Sequence, residues 1–154
     1  MESLFKIGQR MGDDLSKKLD SSKAYCVAST AEDADFLTKG VIDGLKSTVK
    51  SVYLACFWND RLSVNGNSVA PIYNKYLEEG CENSESLIVV SSEIADPCVV
   101  KTNITALLES IEPAEIIILA PFMNKDFKDN LEKEFPLKVS AIFDILNDAG
   151  VLYI

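Results

Sequence analysis

Apolar positions along this chain follow two rhythms, one helical and one of short unbroken runs. Leu4, Ile7, Met11 and Leu15 share a helical face between Glu2 and Leu19, flanked by Phe5 and Leu19. Gly8 and Gly12 lower the helix propensity of that segment. Asp20-Ser-Ser-Lys23 reads as a turn, and residues 24–29 (AYCVAS) as a strand. Phe36, Leu37, Val41 and Leu45 mark a second helix, in which Gly40 and Gly44 would let a neighbouring helix lie close. Residues 51–58 (SVYLACFW) are the next strand. Asn65-Gly66 is a strong hairpin signal, returning the chain through Ser68 to Tyr76, with Pro71 marking the return as an edge or broken strand.

The chain is organised around residues 86–110. Leu87 to Val90 form an apolar run bounded by serines and acids, the pattern of a parallel strand buried on both faces, predicted over 87–91. A loop from Ser91 to Cys98 follows, and then Val100, Ile104, Leu107, Leu108 and Ile111 at helical spacing. A further apolar run, residues 115–120, completes a βαβ unit. Asn124 to Phe135 predicts a helix with Phe127, Leu131 and Phe135 on one face, Val139 to Phe143 a strand, and Gly150 to Ile154 a last strand tied into the sheet. The expected architecture is one α/β domain over 1–154, with a mostly parallel central sheet, helices on both faces and a β-hairpin, the helix of residues 1–20 packing on it.

In such sheets ligands sit at the carboxyl ends of the strands, which directs attention to the loop at 91–98. A phosphate cradle needs glycines and open backbone amides. This loop has no glycine, carries Glu93 and Asp96, and loses a donor at Pro97. It is built for something other than bare phosphate.

Charge changes the picture more than composition does. Hydrophobic residues at 47% and charged residues at 25% are ordinary for a globular domain of 154 residues, but the net charge of −9 is not. It argues against nucleic acid and anionic membranes and for a basic partner. With no histidine, the commonest general base and the commonest transition-metal ligand are missing. Cys26, Cys56, Cys81 and Cys98 have no CxxC spacing and read as buried, reduced thiols of a cytoplasmic protein. Residues 1–10 contain no signal-peptide core, and no apolar run approaches the ~20 residues of a membrane span.

Two carboxyl-half stretches, residues 116–136 (IIILAPFMNKDFKDNLEKEFP) and 141–153 (AIFDILNDAGVLY), together with the order of elements from Ala24 onward, resemble the type I phosphoribosyltransferases, nearest their uracil branch. The resemblance implies that family's fold. It also implies where substrate groups would rest, and there the chain departs. The family's central strand ends in acids and then a Thr-Gly-rich loop for the 5-phosphate, whereas here Ser91-Ser92 precede Glu-Ile-Ala-Asp-Pro-Cys. The family's pyrophosphate loop carries a cation or open amides, whereas Thr30-Ala-Glu-Asp-Ala-Asp35 has three carboxylates. The uracil-binding loop would follow the last strand, past Ile154.

Glu32, Asp33 and Asp35 also suit a plain structural role, since acids in a helix's first turn complement its dipole. Loops after the first and central strands open on one edge, however, so Glu32, Asp33, Asp35, Glu93 and Asp96 would share a crevice, with Asp144 and Asp148 nearby. Gathered carboxylates call for a cation, either Mg²⁺ or the lysines and arginines of another protein. Trp58, at the base of the hairpin, is a candidate contact residue or a partly buried one. The expected function is a non-enzymatic acidic binding protein on a degenerate phosphoribosyltransferase-like scaffold, with no resident cofactor. Its partner would be basic, in the concrete form of an immunity protein neutralising a nuclease-type toxin, and a homo-oligomer stays open. The alternative is a divergent phosphoribosyltransferase or nucleotide-sensing regulator that uses Mg²⁺.

Overall fold

A computed structural model describes residues 3–94, 97–145 and 152–153. Its main sheet is six-stranded, and the strand that starts it, β1 (Ala24–Thr30), lies in the interior of the sheet. β2 (Ser51–Asn59) and β6 (Ser86–Val90) flank β1 in parallel, β8 (Glu115–Leu119) adds to β6, and β10 (Phe143–Ile145) adds to β8. On the other side β5 (Ile72–Leu77) runs antiparallel to β2 and ends the sheet. The expectation of a mostly parallel sheet holds, and so does the prediction of a buried central strand, because every residue of β6 is buried.

Side-chain alternation splits the core into two layers. Tyr25, Val27, Ile88, Val90, Ile117 and Leu119 face α1 (Leu4–Ser16) and α3 (Lys39–Leu45). Cys26, Ala28, Leu87, Val89, Ile116 and Ile118 face α4 (Cys98–Leu107) and α5 (Phe127–Lys133). Helices therefore cover both faces. α1 lies against α3 at a spacing that only glycine permits. A Cβ on Gly8 would stand 2.2 Å from the Leu37 carbonyl oxygen, and one on Gly40 would stand 2.2 Å from that of Phe5. Gly8 and Gly12, read from sequence as weak points of a helix, are contact points instead.

Between β1 and α3 the helical run is not uniform. α2 (Ala31–Asp33) passes through a π turn (Ala34–Thr38) before α3 begins. The wider turn buries Leu37 and leaves Phe36 exposed. The Asn65-Gly66 turn joins β3 (Leu62–Val64) to β4 (Asn67–Val69), with φ of 52° and 79° at the two residues, as a primed two-residue turn requires. Pro71 then interrupts the return before β5, and that return is indeed an edge.

Three expectations are corrected. Residues 139–143 are not a strand: Pro136 opens a short helix, α6 (Leu137–Ser140), whose Val139 and Ser140 amides bond the Pro136 carbonyl, and the strand comes later as β10. The stretch 91–98 is not wholly loop, since β7 (Glu93–Ile94) pairs with β9 (Phe122–Met123) in a second sheet that buries Ile94 and Met123. β11 (Leu152–Tyr153) joins that second sheet through β9 rather than the main one. Among the described residues no helix is long and apolar enough to cross a membrane.

Candidate functional site

The carboxyl ends of β1 and β6, the start of α4 and the β3–β4 hairpin enclose a cavity of about 530 Å³. Its walls mix polar and apolar groups: Glu32, Asp33, Arg61, Ser91, Ser92 and Glu93 with Val69, Ile94, Val99 and Val100. The parallel topology builds it as expected. β1 hands the chain to α2, β6 hands it to β7, and the two exits are neighbours because β1 and β6 are paired.

Each predicted acid has a different fate there. Asp33 is buried, and its Oδ2 accepts a hydrogen bond from the Ser92 N–H at 2.9 Å, tying the exit of β1 to the exit of β6. Glu32 is exposed, and its Oε2 lies 3.1 Å from Nη2 of Arg61. That pair is open to solvent on both sides, so it is worth about 0–1 kcal/mol. Glu93 reaches the cavity wall from β7. Asp35 does not line this cavity: the π turn carries it to the exposed side near Cys56. Burial pushes the Cys56 thiol pKa up, and the Asp35 carboxylate adds to the shift. Asp96 and Asp148 lie outside the described residues, and Asp144 lies in β10.

Trp58 is half-buried and lines a separate notch of about 90 Å³ with Glu32, Arg61 and Tyr73. It does not share the main cavity. Among the described residues no group of three or more carboxylate, thiol or imidazole side chains is placed to hold a metal ion.

Several contacts had no sequence signal strong enough to find them. Asn59 and Asn103 exchange side-chain amide bonds at 2.9 and 3.1 Å, and Asn59 also donates to the Ala70 carbonyl at 2.9 Å, fastening β2, α4 and the hairpin exit together. The Cys98 thiol donates to the Ser68 carbonyl at 3.2 Å, closing the hairpin onto the start of α4. Arg61 lies three residues after Trp58, and no local pattern marks it as the partner of Glu32.

The loop at 91–94 is thus filled from within. Where a phosphate-binding unit presents open amides to an anion, the Ser92 amide here already serves a carboxylate of the same chain.

No protein-family model matches this chain, and no curated protein sequence does either. Solved structures do. A hypoxanthine phosphoribosyltransferase from Staphylococcus aureus superposes with a TM-score of 0.58 at 17% identity, over 80% of this chain and 64% of the enzyme. The hypoxanthine-guanine phosphoribosyltransferase of L. donovani gives 0.55 at 14% identity, over 98% of this chain and 80% of that one. A Neisseria gonorrhoeae protein with bound ppGpp gives 0.54 at 8% identity, over 80% and 69%. The chain therefore spans less than two thirds of the S. aureus enzyme's length. At these identities the likeness is one of fold, and it does not single out the uracil branch. Strand order, helical layers and these neighbours agree that the chain has the fold of the type I phosphoribosyltransferases.

Proposed function

We propose that this chain is a non-enzymatic, acidic binding protein on a phosphoribosyltransferase-like scaffold, and that its partner is a basic protein. The observation that carries this reading is the bond from the Ser92 amide to buried Asp33. An incoming phosphate would have to displace that carboxylate and then face Glu32 and Glu93 with one cation, Arg61, in the same wall. A net charge of −9 on a domain of 154 residues suits the opposite ligand, a surface rich in Lys and Arg. In its finer form the reading is an immunity protein that neutralises a nuclease-type toxin by electrostatically steered association.

The experiment is calorimetry with phosphoribosyl pyrophosphate and excess Mg²⁺, run beside inhibition assays against basic nuclease toxin domains. No heat with the nucleotide precursor, and inhibition whose association rate falls with salt, is the expected result. Micromolar binding of the precursor would overturn the reading.

A second reading has one observation in its favour. The 530 Å³ cavity falls in the size range of small-molecule sites and lies at the carboxyl ends of the strands. Two neighbours are phosphoribosyltransferases and a third carries ppGpp. Under that reading the chain is a divergent nucleotide or phosphoribosyl pyrophosphate binder using Mg²⁺ held at Glu93 or Asp96. A rise in melting temperature on adding the precursor with Mg²⁺ would be its signature.

A further inference from the structure

β5 closes one side of the main sheet, and among the described residues no strand pairs with its outer edge. The Glu78 N–H donates to the Leu54 carbonyl at 2.9 Å, and the register sets Tyr76 opposite Cys56 and Asn74 opposite Trp58. Antiparallel alternation then turns the Tyr76 and Asn74 amides toward β2 and the Lys75 and Leu77 amides outward. Among the described residues the outward Lys75 amide bonds its neighbour's side chain, Asn74 Oδ1, at 3.0 Å. Such a local bond is readily exchanged for a carbonyl on an added strand.

Edges of this kind are normally kept short, charged or covered. This one runs for six residues with a single lysine, and it exposes Tyr73 at 65% and Tyr76 at 50%. Tyrosine is a residue of interfaces, apolar in body and polar at its tip. Beside the start of β5, over the ends of β1 and β2, lies the notch of about 90 Å³ between Trp58, Glu32 and Tyr73, the one residue that β5 gives it. Two aromatic rings beside a carboxylate make a cation site. It already faces one, the exposed guanidinium of Arg61, through an ion pair weak enough to yield to a competitor. Exposed Glu79 follows the other end of β5. The edge is therefore aromatic along its length and acidic at both ends.

We propose that β5 is the docking edge for an extended, basic segment of a partner protein. The segment adds to the sheet as a further antiparallel or parallel strand and sets one Lys or Arg side chain in the Trp58–Tyr73–Glu32 notch. Main-chain bonds to the outward amides supply affinity, and the notch supplies the preference for a cation. This inference rests on the reading of the chain as an acidic binding protein, and it moves the contact from the cavity to the sheet edge.

The probe is a short synthetic peptide of alternating Arg and Val, with a Glu/Val counterpart and a version N-methylated at every second residue. Amide exchange followed by NMR should show the Lys75 and Leu77 amides slowed roughly tenfold or more at saturation by the Arg/Val peptide alone. Glu32→Gln should weaken that binding roughly two- to fivefold, as a surface charge contact would. Lys75→Pro should abolish it, because an edge strand tolerates proline only where the amide points outward. If that variant does not fold, the N-methylated peptide makes the same test on the intact chain. Binding that leaves the β5 amides unchanged and perturbs Ser92 and Glu93 would overturn the docking edge and leave the acidic-binding reading standing. No binding of the Arg/Val peptide would also overturn it, and binding of phosphoribosyl pyrophosphate with Mg²⁺ in the same sample would take the acidic-binding reading down as well.

Discussion

Replacing Gly40 by Ala tests the close packing of α1 on α3. The new methyl would stand 2.2 Å from the Phe5 carbonyl oxygen, 2.9 Å from the Gln9 amide nitrogen and 3.1 Å from the Gly8 Cα. All three are backbone atoms, so no rotamer change relieves the clash. Ordinary contact begins near 3.4 Å, and α1 and α3 must therefore part by more than about 1 Å. Overpacking of this kind costs about 1–3 kcal/mol, and a backbone-on-backbone clash belongs at the upper end. Alanine returns roughly 1 kcal/mol of helix propensity. The expected net loss is about 2 kcal/mol, or a fall of roughly 4–8 °C in melting temperature for a domain of this size. Urea unfolding followed by circular dichroism measures it. Gly8→Ala, whose methyl would meet the Leu37 carbonyl oxygen at 2.2 Å, should cost about the same. The double variant should cost less than the two together, because one separation of the helices accommodates both methyls. Gly66 is the control, with no atom within 4 Å of its Cβ, so alanine there should feel only the positive φ of 79°. If Gly40→Ala is neutral or raises the unfolding midpoint, the close approach of α1 to α3 is not what holds this layer.

Asp33→Ala should destabilise the chain by about 1–3 kcal/mol, because the half-buried Ser92 amide is left without its acceptor. The freed amide should also let inorganic phosphate raise the melting temperature of the variant and not of the parent chain; the same response in both would mean that Asp33 is not what keeps anions out. Alkylation with iodoacetamide should modify half-exposed Cys98 first and buried Cys26 last. Burial pushes the Cys26 thiol up to about 12, with the neighbouring Cys81 and Glu78 adding to it. Its folded-state pKa lies above the ordinary 9.0, so its contribution is full below pH 9 and is lost as pH rises from 9 toward 12, at up to about 1.4 kcal/mol per unit. Cys26→Ala should flatten the decline in urea midpoint over that interval, and an unchanged slope would assign the alkaline loss to other groups.

How much of this was legible beforehand depended on how local each signal is. Leu87 to Val90 announced a strand covered on both sides because a run without polar positions has nowhere to face water, and both core layers use it. Asn65-Gly66 announced its turn because those two residues accept the positive φ values that the turn demands. Gly40 and Gly44 announced a close neighbour, and that neighbour proved to be α1. The run 139–143 failed because four apolar residues suit a strand and a short helix equally, and Pro136 decided for the helix.

The site was harder to read. Glu32, Asp33 and Glu93 were placed together correctly from the parallel order of strands, which the alternation of elements already implied. Asp35 was not, because a π turn widens the helix there and swings it to the other side. β7 is two residues long and exists only because β9, nearly thirty residues later, offers it a partner. The sequence by itself determined the layers, the turn and the neighbouring exits of β1 and β6, all set by local pattern and strand direction. Tertiary structure alone decided that Asp33 takes the Ser92 amide and that Arg61 folds back onto Glu32. Those outcomes hang on hydrogen bonds and contacts between residues far apart in the chain, whose geometry no local pattern encodes.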